Sequence, residues 1–227
     1  MSGAEQELVV ATGNAGKVAE FQRLLTGLPY RLRLQSELNV IPAEETGLTF
    51  VENALLKARA AAEQTGFPAL ADDSGLEVDA LNGAPGVRSA RYAADAPSYA
   101  SNEYTRFGKD LGNCDGKGHG KDTANNARLL WELRDVPESQ RTARFHCVIV
   151  LLRHPHDPVP FVAHGSWEGR ILNAPIGSAG FGYDPLFYDQ TQQLSAAQMS
   201  PEVKNRISHR GQAVQAMLSF LRGQENA

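Results

Sequence analysis

The 227-residue sequence lacks most of the features that mark a membrane-spanning, extracellular or nucleic-acid-binding protein. No apolar run is long enough to span a bilayer, and the N-terminal MSGAEQELVVATGN has no cationic segment leading into an apolar stretch. Both absences predict a cytoplasmic protein with no membrane partner. There is no basic excess: 22 Lys and Arg stand against 26 Asp and Glu, a formal net charge of -4. Binding to a nucleic-acid duplex by counterion release needs such an excess, so no nucleic-acid partner is expected. Cysteine is scarce. Cys114 lies in a polar, glycine-rich stretch and Cys147 in an apolar run, which argues against a structural disulfide, and neither has the surroundings of a nucleophile. His119, His146, His154, His156 and His164 form no metal-ligand spacing. Ser74 sits in Asp-Asp-Ser-Gly rather than Gly-x-Ser-x-Gly, which excludes a nucleophile elbow. A Walker A loop is also missing, because Ala11 stands where its first glycine belongs and Val18 where its metal-binding hydroxyl belongs. No repeat and no interdomain linker divides the chain.

What is present, 42% hydrophobic and 21% charged residues, suits one globular domain over 1–227 with a sizeable core. Leu8 to Thr12 reads as a strand, Gly13 to Gly16 as a tight turn, and Val18 to Leu25 as a helix. Thr49 and Glu52 are spaced as a capping box ahead of the helical series Val51, Leu55, Ala58 and Ala62, with Gly66 as the stop. Pro68 to Ala71 is apolar and runs into Asp72-Asp73-Ser74-Gly75, placing two acids at a strand end before a second strand from Leu76 to Ala80. Residues 98–121 are polar and glycine-rich and are expected to be a mobile insertion loop. A helix over 123–134, a long strand over 143–152, a strand pair over 161–172, a short strand at 181–185 and helices near 195–198 and 201–222 complete the order. Interleaved strands and helices predict an α/β fold with a mixed sheet flanked by helices.

Three constellations could carry chemistry. Thr12, Gly13, Asn14, Ala15, Gly16 and Lys17 occupy a strand-to-helix turn. Backbone N–H groups, the helix N-terminus and the Lys17 ammonium there suit either a triphosphate or no ligand at all, as an ordinary turn with a solvated lysine. Glu44 and Glu45 ahead of one helix, with Asp72 and Asp73 on a strand, supply hard oxygen donors of the kind Mg2+ takes alongside substrate phosphates. Alternate strand residues point to opposite faces, so one aspartate is expected to be chemical and its neighbour structural; a plain hydrogen-bonded turn is the competing reading. Finally, Phe181, Gly182, Tyr183 and Asp184 precede Lys204 and Ser208-His209-Arg210-Gly211. An aromatic ring and several donors suit stacking and hydrogen bonding to a purine with a 6-oxo edge. The alternative is a core phenylalanine with basic residues on a solvated helix face.

In order and spelling, ATGNAGKVAEF (11–21), AEETGLTFVENALLKARAAA (43–62), ALADDSGLEVDALNGAPGVRSARYA (69–93), RFHCVIVLLRH (144–154), HGSWEGRI (164–171), GFGYDPLF (180–187) and KNRISHRGQA (204–213) together resemble the inosine triphosphate pyrophosphatase family, the Ham1 or RdgB-type enzymes that act on non-standard purine nucleotides. The resemblance covers nearly the whole chain. It implies an elongated two-lobed fold with a central nucleotide-binding cleft, a homodimer, Mg2+ as cofactor, and a purine nucleoside triphosphate (ITP, dITP or XTP) cleaved to monophosphate and pyrophosphate before it can enter DNA or RNA. By the same resemblance Thr12, Asn14 and Lys17, with Lys57, hold the triphosphate, and Glu44 and Asp73 serve the metal. Asp73 is the proton acceptor for the water that attacks the α-phosphorus, while Glu45 and Asp72 stand behind these two. Ser74 touches the substrate, Phe181 stacks on the base, and Asp184, Lys204, His209 and Arg210 read or clamp it. One departure is the stretch from Asp95 to Lys121, longer and richer in glycine than the corresponding segment of the bacterial enzymes is expected to be. Competing readings are a related enzyme with a modified pyrimidine substrate, disfavoured by KNRISHRG, and a nucleotide sensor without turnover, which would need no Asp73.

Overall fold

The computed structural model describes residues 6–24, 30–95 and 120–224. In chain order its principal elements are β1 (Gln6–Val10), α1 (Ala15–Leu24), β2 (Tyr30–Leu34), α2 (Phe50–Thr65), β3 (Ala69–Val78), α3 (Gly120–Glu132), β4 (Thr142–Leu152), β5 (Phe161–Ile171), β6 (Phe187–Asp189), β7 (Leu194–Ser195), α4 (Pro201–Ile207) and α5 (His209–Gln224). Among the described residues the strands form one sheet in the order β2-β1-β3-β4-β5-β6-β7. Its β1–β2 and β1–β3 pairs are parallel and its β5–β6 and β6–β7 pairs antiparallel, so the sheet is mixed and the fold α/β. No helix among the described residues is long and apolar enough to cross a membrane.

The chain divides into two compact units. The first comprises Met1–Ser74, Cys147–Gly165 and Asn205–Ala227. Residues 8–10 of β1, 69–71 of β3 and 147–152 of β4 are apolar on both faces, as strands covered on both sides must be. Leu8, Val10, Leu70, Cys147 and Ile149 pack with Phe21 of α1 and with Ala213, Val214, Met217 and Leu221 of α5. Val9, Ala11, Ala69, Ala71, Val148 and Val150 pack on the opposite face with Ala54, Ala58, Ala61 and Ala62 of α2. Within this unit, Leu70 of β3 therefore faces α1 and α5, and Ala69 and Ala71 face α2. Helix α2 begins as its spacing predicts: Thr49 and Glu52 close a reciprocal capping box, and Gly66 ends the helix in the left-handed region at φ 71°. Gly165 of β5 is required by the approach of α5, because an added Cβ would overlap the His209 carbonyl oxygen and lie 2.9 Å from the Ala213 nitrogen. We expect Gly165→Ala to cost about 1–3 kcal/mol, read as a lower urea midpoint at unchanged slope. An unmoved midpoint would show that α5 can shift freely.

The second unit comprises Gly75–His146 and Ser166–Lys204. Phe187 stands with its ring centre 4.6 Å from that of Phe145 and 4.8 Å from that of Trp167, and the Trp167 indole N–H donates to Asp189 at 2.7 Å. Leu129, Leu130 and Leu133 on and beyond α3 are buried with Leu76 and Val78.

Four sequence expectations need correction. Asp72 and Asp73 lie inside a continuous ten-residue strand, β3, not at a strand end. Residues 161–171 form one strand rather than a pair. Residues 181–185 are a turn, because Gly180 and Gly182 adopt positive φ values of 81° and 62°, which no strand permits. The C-terminal helix is broken at Ser208, whose hydroxyl accepts the Gly211 N–H at 3.2 Å and so caps a new helix, α5. Of the segment read as a loop over 98–121, residues 98–119 lie outside the described residues and Gly120 and Lys121 open α3. Leu25, Cys114 and His119 also lie outside them.

Candidate functional site

The turn from β1 into α1 carries Thr12 to Lys17. Asn14 caps α1, its side-chain oxygen accepting the Lys17 N–H at 3.1 Å, while its own N–H donates to Thr12 Oγ1 at 3.3 Å. Capping leaves Gly13, Ala15 and Gly16 as backbone at the helix start, with Lys17 one turn in. The Lys17 ammonium lies 2.8 Å from Asp72 Oδ2.

Strand alternation then separates the two aspartates. Asp72 shares its even-numbered face with Ser74, whose hydroxyl donates to Asp72 Oδ2 at 2.8 Å, and with Arg210, whose Nε is 3.5 Å from the same oxygen. Arg210 also binds Glu20 of α1. Burial alone would push the Asp72 carboxyl up, but the charges of Lys17, Arg210 and Lys57 outweigh it and hold it well below the usual carboxylate range. The same exchange raises Arg210: burial opposes its charge, and Asp72 and Glu20 more than restore it. Cys147, on this face and fully buried, has its thiol pushed up to about 11 by burial first and the Asp72 charge second. It stays protonated at neutral pH and is a poor nucleophile.

Asp73 faces α2. Its Oδ1 accepts from the Lys57 ammonium at 2.8 Å and its Oδ2 from the Asn53 amide at 3.3 Å. Lys57 reaches Glu45 Oε1 as well, at 3.0 Å. Here burial prevails: the Asp73 carboxyl is raised even though Lys57 and Lys17 pull it down. Lys57 is raised too, burial being outweighed by Asp73, Asp72 and Glu45. Two carboxylate oxygens, of Glu45 and Asp73, thus converge on one cation. Such a donor set fits Mg2+, which takes one or two carboxylates and fills its octahedron with water and phosphate oxygens. No three metal-ligating side chains cluster among the described residues. Glu44 is exposed, and Glu45 is the neighbour that touches Lys57.

In the second unit the turn at 180–184 presents Phe181. The Phe181 N–H donates to Asp184 Oδ2 at 2.8 Å, and the Lys204 ammonium lies 2.6 Å from that oxygen and 5.3 Å from the Phe181 ring centre. Residue 180 must be glycine, since a Cβ would overlap the Asp184 carboxylate. Tyr183 turns inward, its hydroxyl donating to the Ser89 carbonyl at 2.9 Å, and burial raises it well above the usual phenol range. His209 is buried at the start of α5 in the first unit.

The first unit therefore gathers Lys17, Asp72, Ser74 and Arg210 on one strand face and Glu45, Lys57 and Asp73 on the other. The second gathers Phe181, Asp184 and Lys204. Sequence reading missed Glu20 and Asn53. Asn53 was legible in part: it stands four residues before Lys57, a polar position on the alanine face of α2. Glu20 gives no local sign, because its partner is 190 residues away.

The Ham1 family model matches residues 8–220. The dITP/XTP pyrophosphatase of Vibrio cholerae serotype O1 is 48% identical over 219 residues, covering 96% of this chain and 98% of the relative. That of Escherichia coli O157:H7 is 51% identical over 217 residues, with 96% and 98% covered. A HAM1 protein from Coxiella burnetii superposes with a TM-score of 0.80 at 44% identity, over 96% of this chain and 99% of that one. A match of this length and closeness, on a chain whose carboxylates and lysines pair across β3, shows that the protein belongs to the Ham1 family.

Proposed function

We propose that the chain is a Mg2+-dependent pyrophosphohydrolase that cleaves ITP, dITP and XTP to the monophosphate and pyrophosphate. The observation that carries this reading is Asp73: a buried carboxylate with a raised pKa, held between an amide and an ammonium in the middle of a rigid strand. The names of the relatives, dITP/XTP pyrophosphatase, supply the substrate class.

Mg2+, held by Asp73 with Glu44 or Glu45, would offset the negative charge that builds on the phosphate oxygens and on departing pyrophosphate. The chain's own groups do the rest. Asp73 accepts a proton from the attacking water as its oxygen bonds to the α-phosphorus; the bond from that phosphorus to the bridging oxygen breaks, and pyrophosphate leaves with the electron pair. A carboxyl of raised pKa is the better proton acceptor. Lys57 holds Asp73 in orientation and favours its ionised form. Lys17 and the backbone N–H groups of Gly13 to Gly16 bind the phosphates, with Thr12, Asn14 and Ser74 as further contacts. Phe181 stacks on the base, and Asp184, Lys204, His209 and Arg210 bind or fix its 6-oxo edge, with Gly182 and Tyr183 shaping the turn. Adenine, with an amino group at that edge, would leave donors unpaired. A cytoplasmic homodimer belongs to the same proposal, supported by family membership.

The test is pyrophosphate release from ITP, XTP, GTP and ATP in parallel, with Mg2+ and with a chelator. We expect metal-dependent cleavage with ITP and XTP preferred by at least roughly a hundredfold over ATP, the size of preference that unpaired buried donors give. Equal rates on all four, or cleavage that survives the chelator, would overturn the proposal.

A further inference from the structure

The turn that carries Phe181 is gripped from outside by α3. The Gly182 N–H donates to Asp122 Oδ2 at 2.8 Å, and the Gly182 carbonyl accepts from the Asn126 amide at 3.0 Å. Asp122 and Asn126 are four residues apart on the helix, so they leave it on one face, one turn apart. Between them they fix the peptide planes on both sides of Gly182 and hence its left-handed φ of 62°. On the other flank Asp184 ties the Phe181 N–H, and the Asp184 N–H returns to the Phe181 carbonyl at 3.3 Å. Every peptide group around Phe181 is thereby held.

The amide at 126 has a cost that packing alone does not explain. Its Oδ1 is buried without a hydrogen-bond partner among the described residues. An apolar side chain would fill the same space without stranding an acceptor, so the retained feature is the donor to Gly182. The Asp184 carboxylate that orders the turn also holds Lys204, the donor beside the Phe181 ring. Any slackening at Gly182 would therefore reach both the stacking ring and the adjacent cation.

We propose that Asp122 and Asn126 are positioning residues for base recognition: by clamping Gly182 they set the orientation of Phe181 and, through Asp184, of Lys204, and so determine how strongly a 6-oxo purine is preferred to a 6-amino one. The inference rests on the proposed base-binding role of Phe181. Its test measures kcat and KM for ITP and ATP, with melting temperature, in Asp122→Ala, Asp122→Asn, Asn126→Leu and Phe181→Ala. Asp122→Ala and Asn126→Leu are expected to raise KM for ITP and shrink the ITP-over-ATP preference in kcat/KM by roughly tenfold each, about the effect of one lost hydrogen bond, while kcat for ITP stays within about twofold. Asp122→Asn keeps an acceptor for the Gly182 N–H and should behave as the parent. If Phe181→Ala alone loses the preference and the α3 variants keep it, the clamp has no such role. If Phe181→Ala leaves KM and preference unchanged, the base-binding reading itself falls, and this inference with it. A loss in Asp122→Asn equal to that in Asp122→Ala would overturn the hydrogen-bond account in favour of charge. Should Asp122→Ala fail to fold, Asn126→Leu, which keeps the volume, decides the matter.

Discussion

Asp73→Asn lowers kcat for ITP by roughly a thousandfold while changing the dissociation constant for the nucleotide by no more than about threefold, the range expected when a positioned proton acceptor is lost and its shape is kept. The asparagine would sit where Asp73 sits, inside β3 and facing α2, where its single amide oxygen can accept from Lys57 or from Asn53 in place of the two carboxylate oxygens. An amide oxygen still accepts from either neighbour, so the strand and the α2 contact survive. What disappears is the negative charge and the basic oxygen. The pH profile gives a second readout. Burial raises the Asp73 carboxyl, so the acid limb of kcat/KM for the parent should lie above the ordinary carboxylate value of about 3.9, with activity falling as pH drops through that raised pKa. Stopped-assay rates across pH 4 to 9 and equilibrium binding of ITP would measure both. A variant with parental turnover, or a limb at the ordinary value, would remove Asp73 from its role.

The residues that the sequence placed correctly are those whose signal is local. Thr49 and Glu52 mark the start of α2 by side chains within four residues of the backbone groups they satisfy, and Gly66 marks its end by its left-handed backbone, whose N–H donates to the Ala62 carbonyl. Opposite orientation of Asp72 and Asp73 followed from strand pleat alone. Their position in mid-strand did not. Asp-Asp-Ser-Gly has the composition of a turn, and only Lys17, Lys57 and Arg210, all remote in sequence, make two ionised groups tolerable inside a buried strand. Phe181 to Pro185 has the aromatic content of a strand, and positive φ at two glycines overrules it. The roles of Glu20 and of the Gly182 clamp were hidden for the same reason as the mid-strand acids. Asp122 and Asn126 meet Gly182 across 60 and 56 residues of sequence, and nothing near either of them in the chain announces the contact.

Those remote charges make Asp72 the position where substitution should cost most stability. Its side chain is 0% exposed, and its two partners are nearly as enclosed, Arg210 at 4% and Lys17 at 14%. Asp72→Asn keeps the shape but removes one of the carboxylates beside Arg210, leaving the Glu20 ion pair, and takes from Lys17 the carboxylate it pairs with. Removing one member of a buried pair costs about 3–5 kcal/mol; because Glu20 remains and Lys17 can turn to water, we expect about 3 kcal/mol, or roughly 6–12 °C in Tm for a chain of this size. The dependence on pH has a definite sign. The folded-state pKa of Asp72 is depressed, because Lys17, Arg210 and Lys57 overcome burial. Its contribution is therefore present above the unfolded carboxylate pKa of about 3.9 and is lost as pH falls through the lower folded value. Asp73, with a raised folded pKa, works in the opposite direction: its contribution is present below the unfolded value and lost as pH rises through the folded one. Urea unfolding at pH 7 and pH 3 should show the gap between parent and Asp72→Asn narrowing on the acid side. If Lys17 is the partner left stranded, Asp72→Asn combined with Lys17→Met will cost less than the two changes separately. Strict additivity, or a gap that does not change with pH, would mean that the Lys17–Asp72 pair contributes nothing to the fold and that Lys17 is held by the turn alone.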